Sequence, residues 1–356
     1  MGHIRKFAII AIAVASLGCA GVATELVVPT NFPTIGEAVR AAAPGDVIRL
    51  RSGTYKEAVH LSVPLTLRGD LGNPGSVIVQ APSFLTPAIS VNTGTQTGTT
   101  TIEGLTVTGA AAERGILVEG SSVVVVQSSV MVNNLVGVEA AGTSIVTILD
   151  CVLRDNYDSC TQASDHSSLL VTGCIVSGTA GMQLVRSVSG ASARLEIKDS
   201  TLAGTNVSRV LDHSFGVALN SGSSAVIRHC TFEHFEDAVE VWGGDSIAVE
   251  DCRIEGCCSG IVIWNQLGDN TRTSLLQNTI LDCDAGVQLT GGCGLVEISR
   301  NFIRVDWQSI VVHLSAGCRS PHDVPFTGTI VGTLNDLDPD GCPSYRSPLW
   351  PTGFVK

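Results

Sequence analysis

Short hydrophobic segments recur along most of this sequence, with 22 to 30 residues between successive copies. Each copy is built around a central residue, with one apolar residue three positions before it and another two positions after it. All eighteen of these flanking positions are apolar, which identifies an internal repeat. The nine central residues are Leu105, Ser129, Cys151, Cys174, Ser200, Cys230, Cys252, Asn278 and Asn301.

A second apolar segment follows most central residues by about eight positions, often after a glycine, as in 115–118, 216–219 and 286–289. Each repeat therefore predicts three short β-strands with turns between them. Because strands this short cannot enclose a core alone, we expect successive repeats to stack on one another. A β-sandwich is the competing all-β arrangement, but its antiparallel strands and tight hairpins do not explain an in-register repeat of this length.

The composition agrees with extended β-structure. Of the 356 residues, 15% are charged, 4% are aromatic and 38 are glycine. Low charge and many aliphatic residues exclude a disordered chain, and the abundance of Val, Ile, Thr, Ser and Gly argues against a helical bundle. The net charge of −12 opposes nucleic acid or an anionic membrane as a bulk partner, so we predict no nucleic-acid partner.

The N-terminal segment has the pattern of a secretory signal peptide. His3, Arg5 and Lys6 precede the apolar run Phe7–Leu17, and small residues follow it. Cys19 supports an alternative, in which it is acylated as the N-terminus of a lipoprotein. No other run approaches the roughly 20 apolar residues of a membrane helix. We therefore expect a secreted, periplasmic or cell-surface protein, or a lipid-anchored one, with no transmembrane segment after signal cleavage.

The repeat and the segment before it resemble the right-handed parallel β-helix proteins of the pectin-lyase-like superfamily, including their carbohydrate-binding and sugar-hydrolysis type repeats. Residues 28–39, 44–48 and 53–57 are similar to the opening of that family. The resemblance implies an all-β, single-stranded, right-handed parallel β-helix, or solenoid, with an N-terminal helical cap. Thr34 and Glu37 form a capping box, which predicts a helix that covers the open first coil.

These patterns predict three parts of the chain. Residues 1–23 are expected to form the signal peptide and residues 24–317 the parallel β-helix. Residues 318–356 are expected to form an irregular C-terminal tail, because several prolines follow the last repeat.

The resemblance places the central residues at a bend, where Asn, Ser and Cys side chains stack as ladders. Adjacent coils lie about 4.8 Å apart, which falls within the Cα separation that a disulfide can bridge. Inter-coil disulfides are therefore one expectation, and a ladder of buried free thiols is the alternative. The pairs are Cys151 with Cys174, Cys230 with Cys252, and Cys257 with Cys283, and Cys318 with Cys342 would fix the tail.

Two tryptophans give the sharpest prediction of a binding site. If Val239 and Val241 point into the core, Glu240 and Trp242 point outward, and Trp264 lies one coil later. Stacked indoles suit the apolar faces of sugar rings. In related lyases and hydrolases the substrate groove follows this kind of strand face, and the alternative is that both indoles pack beneath a loop. The predicted substrate-binding residues are Trp242, Trp264, Gln288 and His313.

Acidic and histidine side chains near this face are the candidate catalytic groups. Paired carboxylates serve hydrolysis, whereas a lyase needs a base and a cation that neutralises the substrate carboxylate. Glu240, His213 and Asp212 are the predicted catalytic residues. The motifs of polygalacturonases, pectin methylesterases and pectate lyases are not found. A further polar column is favoured as a solvated surface ladder: Asp199, His229, Asp251, Gln277 and Arg300.

The C-terminal segment contains the first half of a calcium-loop pattern. Asp336, Asp338 and Asp340 alternate as carboxylate ligands of a hard cation do, but Ser347 stands where such a loop has its bidentate Glu. An acidic turn is the competing interpretation. Calcium is thus the one cofactor that the sequence suggests, and none is expected to be required.

The leading functional hypothesis is an exported β-helix protein that engages polysaccharide on an exposed strand face. One alternative is a polysaccharide lyase or glycoside hydrolase of uncharacterised specificity that acts on the same face. The other is a structural or adhesive surface protein in which the solenoid is a rigid spacer.

Overall fold

The computed structural model describes residues 23–178, 182–184, 192–204, 214–220, 222–243, 246–265, 272–291, 294–312 and 329–337. Several predicted positions lie outside these described residues. They are the signal segment 1–22 with Cys19, the catalytic candidates Asp212 and His213, the substrate-binding candidate His313, the cysteines Cys318 and Cys342, and the calcium candidates Asp338 and Asp340.

One α-helix, α1 (Ile35–Ala41), and a 3₁₀ turn at Pro74–Ser76 accompany a series of short strands. In chain order the strands are β1 (Glu25–Val28), β2 (Val47–Leu50), β3 (Gly53–Lys56), β4 (Val59–Leu61), β5 (Thr66–Arg68), β6 (Val77–Gln80), β7 (Ile89–Val91), β8 (Thr99–Glu103), β9 (Thr106–Thr108), β10 (Arg114–Val118), β11 (Val123–Gln127), β12 (Val130–Val132), β13 (Val136–Ala140), β14 (Ile145–Leu149), β15 (Val152–Arg154), β16 (Ser159–Ala163), β17 (Ser168–Thr172), β18 (Ile175–Gly178), β19 (Met182–Leu184), β20 (Arg194–Lys198), β21 (Thr201–Gly204), β22 (Phe215–Asn220), β23 (Ser224–Arg228), β24 (Thr231–Glu233), β25 (Asp237–Trp242), β26 (Ser246–Glu250), β27 (Arg253–Glu255), β28 (Ser259–Asn265), β29 (Arg272–Leu276), β30 (Thr279–Gly291), β31 (Leu295–Ser299), β32 (Phe302–Val312), β33 (Thr329–Val331) and β34 (Asp336–Leu337).

The strands form three parallel columns. The first sheet contains β1, β2, β5, β8, β11, β14, β17, β20, β23, β26, β29, β31 and β33. The second contains β3, β6, β9, β12, β15, β18, β21, β24, β27, and the N-terminal parts of β30 and β32, followed by β34. The third contains β4, β7, β10, β13, β16, β19, β22, β25, β28 and the C-terminal parts of β30 and β32.

Each coil from β2 to β32 contributes one strand, or one part of a long strand, to each sheet, so the predicted right-handed parallel β-helix is confirmed and the sandwich is excluded. The eighteen apolar positions of the repeat all lie in the core, with at most 1% of their surface exposed. The largest of them, Phe232, is fully buried within the second sheet. Burying such a side chain stabilises the fold by roughly 1.5–3 kcal/mol, so the stacked columns carry most of the stability.

The residue before each central position has a left-handed backbone, which turns the chain sharply from the first sheet to the second. His229 and Asp251, for example, have φ angles of 52°. Asp, Asn and Gly tolerate this conformation best, which explains why polar residues fill the column. His229 Nδ1 lies 3.4 Å from Asp199 and its Nε2 3.9 Å from Asp251, and all three are exposed, so the column is a solvated surface ladder in the structure.

The central residues form a hydrogen-bonded ladder inside this turn. The Asn301 amide nitrogen donates to the Leu275 carbonyl at 2.8 Å, and its amide oxygen accepts the Asn278 backbone N–H at 2.9 Å. Asn335 continues the ladder one coil later. Cysteines replace Asn in other coils: the Cys151 thiol donates to the Leu149 carbonyl at 3.2 Å. The ladder thus satisfies backbone groups that the turn would otherwise bury unpaired.

The register places the predicted cysteine pairs side by side. Cys151 and Cys174 precede the paired residues Val152 and Ile175, and the other two pairs are aligned in the same way. All six are buried free thiols in the structure. Interaction with Cys174, together with burial, raises the pKa of the Cys151 thiol above its usual value. Disulfide formation within these pairs stays a prediction.

Helix α1 covers the N-terminal end of the solenoid, as predicted. The Thr34 hydroxyl accepts the Glu37 backbone N–H at 3.2 Å, which is the expected N-cap. The two backbone N–H groups before that of Glu37, those of Ile35 and Gly36, donate to the Glu57 carboxylate at 3.0 and 2.9 Å. Long-range contact with Glu57 therefore supplements the N-cap of Thr34 and attaches the helix to the first coil.

The solenoid continues into the segment predicted as an irregular tail. Strand β33 pairs with β31, and β34 pairs with β32, both in parallel register. The sequence did not predict these strands, because they are only three and two residues long and lie in a proline-rich segment. Asp336, a predicted calcium ligand, lies in β34, and its carboxylate accepts a hydrogen bond from Arg304 at 2.9 Å.

Among the described residues, no helix has both the length and the apolar character required to cross a membrane.

Removing one member of the asparagine ladder is expected to destabilise the solenoid. Asn301→Ala leaves the Leu275 carbonyl and the Asn278 N–H buried without their partners, which costs about 3 kcal/mol. Urea unfolding followed by circular dichroism measures this change as a lower midpoint. Arg300→Asn, at the exposed left-handed position next to it, is the matched control and should leave the midpoint nearly unchanged. Equal midpoints for the two variants would contradict the ladder's role.

Candidate functional site

The predicted tryptophan pair lies on the outer face of the third sheet. Parallel register aligns Trp242 of β25 with Trp264 of β28, because the residues before them, Val241 and Ile263, are paired. The two indole rings stack with their centroids 5.6 Å apart and their planes inclined by 14°. Val241 and Ile263 are buried in the core, whereas both indoles are partly exposed. The predicted inward and outward alternation is therefore correct here.

Polar residues occupy the same column in the coils before and after the stack. Asn220 of β22 aligns with Trp242, and Thr290 of β30 aligns with Trp264. We call the outer surface of β22, β25, β28 and the third-sheet part of β30 the tryptophan face. It consists of two stacked aromatic rings with a hydrogen-bonding residue on either side.

Glu240 lies beside the stack on the same face, two residues before Trp242. Only 4% of its surface is exposed. The pKa of Glu240 is raised from 4.5 to about 7, chiefly by burial, with a smaller contribution from the carboxylates of Asp237 and Glu236 and with the indole N–H of Trp242 opposing the shift. A carboxyl group with this pKa exchanges its proton near neutral pH, as general acids and bases do.

Three buried polar atoms around Glu240 lack a hydrogen-bond partner among the described residues. They are one carboxylate oxygen of Glu240, one of Glu236 and the indole nitrogen of Trp264. Leaving such a group unpaired costs about 1–3 kcal/mol, so folded proteins contain few of them. Two acceptors and one donor at one place form a site able to hydrogen-bond the hydroxyl groups of a ligand.

Gln288 lies two coils beyond Glu240 in the third sheet. Val262 lies between Glu240 and Gln288 in the register, so two coil spacings, or about 10 Å, separate their backbones. The Gln288 amide donates to the Ser259 hydroxyl at 2.8 Å, and the Ser259 N–H donates to the Glu236 carbonyl at 2.7 Å. Gln288 therefore borders the site through Ser259 and does not contact Glu240 directly.

Two supporting residues, Ser214 and Ser259, were not predicted from the sequence. Ser214 accepts the Glu236 N–H at its hydroxyl oxygen, at 3.0 Å, and thereby fixes the turn that precedes β25. Ser259 connects that turn to Gln288. The signal that identifies them is the register, in which the start of β25 aligns with the start of β28. Ser214 directly follows the predicted catalytic residues Asp212 and His213, which lie outside the described residues.

A second surface feature lies at the N-terminal end of the first sheet. It is a cleft of about 970 Å³ whose lining includes Arg49, Arg51 and Arg68. Arg49 lies 3.4 Å from Glu25, and Arg68 forms an ion pair with the buried carboxylate of Glu103. Two of its three cations are thus already neutralised within the fold. The tryptophan face, where buried polar atoms are unpaired, is the stronger candidate site.

No group of His, Cys, Asp or Glu side chains within the described residues is arranged to hold a metal ion. Because Asp338 and Asp340 lie outside those residues, calcium binding stays a prediction.

The sequence matches the family described as right handed beta helix region, over residues 87–210 and 185–319. Among curated protein sequences, no relative matches this chain.

Solved structures similar to this chain include polysaccharide-active proteins. The Agl-KA catalytic domain has 13% sequence identity and a TM-score of 0.55, with 90% of this chain and 63% of that chain covered. The catalytic domain of GH87 α-1,3-glucanase D1069A, in complex with tetrasaccharides, has 12% identity and a TM-score of 0.53, with 86% and 68% covered. Alginate lyase from Paenibacillus sp. str. FPU-7 has 15% identity and a TM-score of 0.47, with 83% and 95% covered. The two catalytic domains, with TM-scores above 0.5, share the fold of this chain.

The buried carboxyl of Glu240 should make the stability of the protein depend on pH. Between pH 4.5 and about 7 the unfolded chain loses this proton while the folded chain keeps it, so stability falls as pH rises. Glu240→Gln removes this pH-dependent fall in stability. Its free energy of unfolding relative to wild type should therefore increase by about 3 kcal/mol from pH 4.5 to pH 8.

Urea unfolding at several pH values measures this difference. Glu233→Gln, on the second sheet, is the control for removal of a carboxylate elsewhere on the same coil. A Glu240→Gln difference that is constant with pH would show that the Glu240 carboxyl is not desolvated in solution.

Proposed function

The chain belongs to the right-handed β-helix family, and on that premise we propose that it binds polysaccharide through the tryptophan face. The observation that carries this proposal is the stacked pair of partly exposed indoles, 5.6 Å apart, on the outer surface of the third sheet. The fold does not require tryptophan at these positions, since Asn220 and Thr290 occupy the same column in neighbouring coils. A ligand-binding role accounts for the pair.

The physical basis is stacking between sugar rings and indoles. Pyranose rings present apolar C–H faces, and a large flat aromatic ring buries such a face at a small cost in side-chain entropy. Trp242 and Trp264 come from adjacent coils and stack on each other, so together they extend one aromatic surface along the solenoid axis. Glu240 and Glu236 then provide acceptors, and the Trp264 indole a donor, for the hydroxyl groups of the sugar.

The similar structures support this proposal at the level of the fold. The α-1,3-glucanase catalytic domain was solved in complex with tetrasaccharides, which shows that a scaffold of this kind holds a glycan. Because identity to that domain is 12%, the argument for this chain rests on its own residues.

A second function, cleavage of the bound glycan, is favoured by the environment of Glu240. Hydrolysis of a glycosidic bond uses one protonated and one ionised carboxyl group. Burial raises the pKa of Glu240 to about 7, so it holds a proton beside the more exposed Asp237 and Glu236. New reducing ends without unsaturated products would identify a hydrolase, and unsaturated uronate absorbance would identify a lyase. In a hydrolase, Glu240→Gln should retain binding and lose turnover.

We also propose that the protein is exported, either secreted or held at the cell surface. This proposal rests on the basic and apolar segment at the N-terminus and on Cys19 as a lipidation site. Fractionation of producing cells tests it, and Cys19→Ser distinguishes the two forms: loss of membrane association identifies a lipid anchor, and unchanged secretion identifies simple signal cleavage.

Replacing the tryptophan pair should remove glycan binding. Trp242→Ala combined with Trp264→Ala eliminates the apolar surface on which a sugar ring stacks, and we expect affinity to fall at least tenfold, or about 1.4 kcal/mol. Affinity electrophoresis with a panel of neutral and acidic polysaccharides, followed by calorimetry on the best ligand, measures the loss.

Tyr157→Ala is the matched control, because Tyr157 is an exposed aromatic residue, 62% accessible, that lies away from the tryptophan face. The control should bind as wild type does. Unchanged binding by the double variant would exclude the tryptophan face, and a wild-type protein that binds no glycan would favour the structural or adhesive alternative.

A further inference from the structure

We propose that the tryptophan face selects uncharged polysaccharides and discriminates against polyuronates and sulfated chains. This inference rests on the proposed function and specifies its substrate class. Three observations carry it: the carboxyl groups beside the stack, the absence of cations from the strands that form this face, and the kind of hydrogen-bonding groups left unpaired there.

The first observation is the concentration of acidic groups in one coil. Glu236, Asp237 and Glu240 all belong to the coil that carries Trp242, and Glu240 senses the charge of the other two. Glu240 is 96% buried and one of its carboxylate oxygens is unpaired. A substrate carboxylate placed on the adjacent indole would meet these groups in a partly desolvated environment, where like charges repel strongly.

The second observation is the lack of a compensating cation. Recognition of a carboxylate or sulfate group ordinarily relies on Arg or Lys. The third-sheet strands from β13 to β28, and the whole of β30, contain neither residue. The preceding strand of this sheet, β10, contains Arg114, which is already paired with Glu139 and lies 3.0 Å from Glu113. Within the described strands of this face, an acidic sugar finds no partner for its charge.

The third observation concerns the unpaired polar atoms. Two carboxylate oxygens, of Glu240 and Glu236, accept hydrogen bonds, and the Trp264 indole nitrogen donates one. A sugar hydroxyl both donates and accepts, so a neutral ring satisfies all three atoms. A carboxylate or sulfate group placed against these atoms only accepts, and so leaves the two acceptors unpaired. The hydrogen-bonding pattern and the charge pattern thus favour the same class of substrate.

The test compares glycans that differ only in charge. Homogalacturonan is used in two forms, as polygalacturonate and as its fully methyl-esterified derivative, alongside neutral α- and β-glucans. Binding is measured by calorimetry at low and high ionic strength. We expect a neutral chain to bind at least tenfold more tightly than polygalacturonate at low salt, with a smaller gap at high salt because salt screens the repulsion.

Two variants examine the cause of the selectivity. At pH 8, above the pKa of about 7 of Glu240, Glu236→Gln combined with Glu240→Gln keeps the side-chain shape and removes two negative charges, and should narrow the difference in affinity between neutral and acidic chains at least threefold. Asn220→Lys places a cation in the column next to Trp242 and should independently narrow the difference in affinity between neutral and acidic chains. A gap that neither variant changes would overturn the assignment of selectivity to this face.

The outcomes separate this inference from the proposed function. Tryptophan-dependent binding of neutral chains with weak binding of polygalacturonate supports both. Tryptophan-dependent binding that is equal or tighter for polygalacturonate overturns the selectivity and leaves polysaccharide binding intact. Binding of no glycan, or binding that is insensitive to Trp242→Ala with Trp264→Ala, overturns both.

Discussion

In-register stacking of parallel coils is the constraint on which the rest of this structure depends. Each residue of a coil lies about 4.8 Å above its equivalent in the coil before, so a side chain has the same kind of neighbour on both sides. Apolar columns such as Ile227, Val249 and Leu275 fuse into one continuous core. The same geometry stacks the asparagines into a ladder and Trp242 on Trp264.

Stacking also brings side chains of the same column into contact, which stabilises some residue types and destabilises others. An amide that both donates and accepts gains from a copy of itself in the next coil, as Asn278 and Asn301 show. Carboxylates repel one another instead, and in the coil with Glu236, Asp237 and Glu240 burial, together with the two neighbouring carboxylates, raises the pKa of Glu240. A sequence selected only for stability would avoid that arrangement. Its position beside an exposed aromatic stack is consistent with a functional site that the rest of the solenoid stabilises.

The similar structures show how little of the sequence this fold requires. The Agl-KA catalytic domain shares the fold at 13% identity, because the coil register and the apolar columns can be satisfied by many aliphatic residues. Outward-facing positions of the third sheet are therefore free to diverge between members of the family. For this reason the proposed function rests on the charge and hydrogen-bonding groups of the tryptophan face and not on overall similarity.

The sequence alone determined the repeat, its parallel stacking, the N-terminal cap and the pairing of Trp242 with Trp264, because each follows from periodic spacing and from the alternation of a strand. Only the tertiary structure decided how deeply Glu240 is buried, that the Gln288 amide is bonded to Ser259, and that Glu57 completes the helix cap. It also showed that β33 and β34 extend the solenoid. Burial and long-range partners depend on how turns and neighbouring coils cover a face, and periodicity within a strand contains no information about that covering.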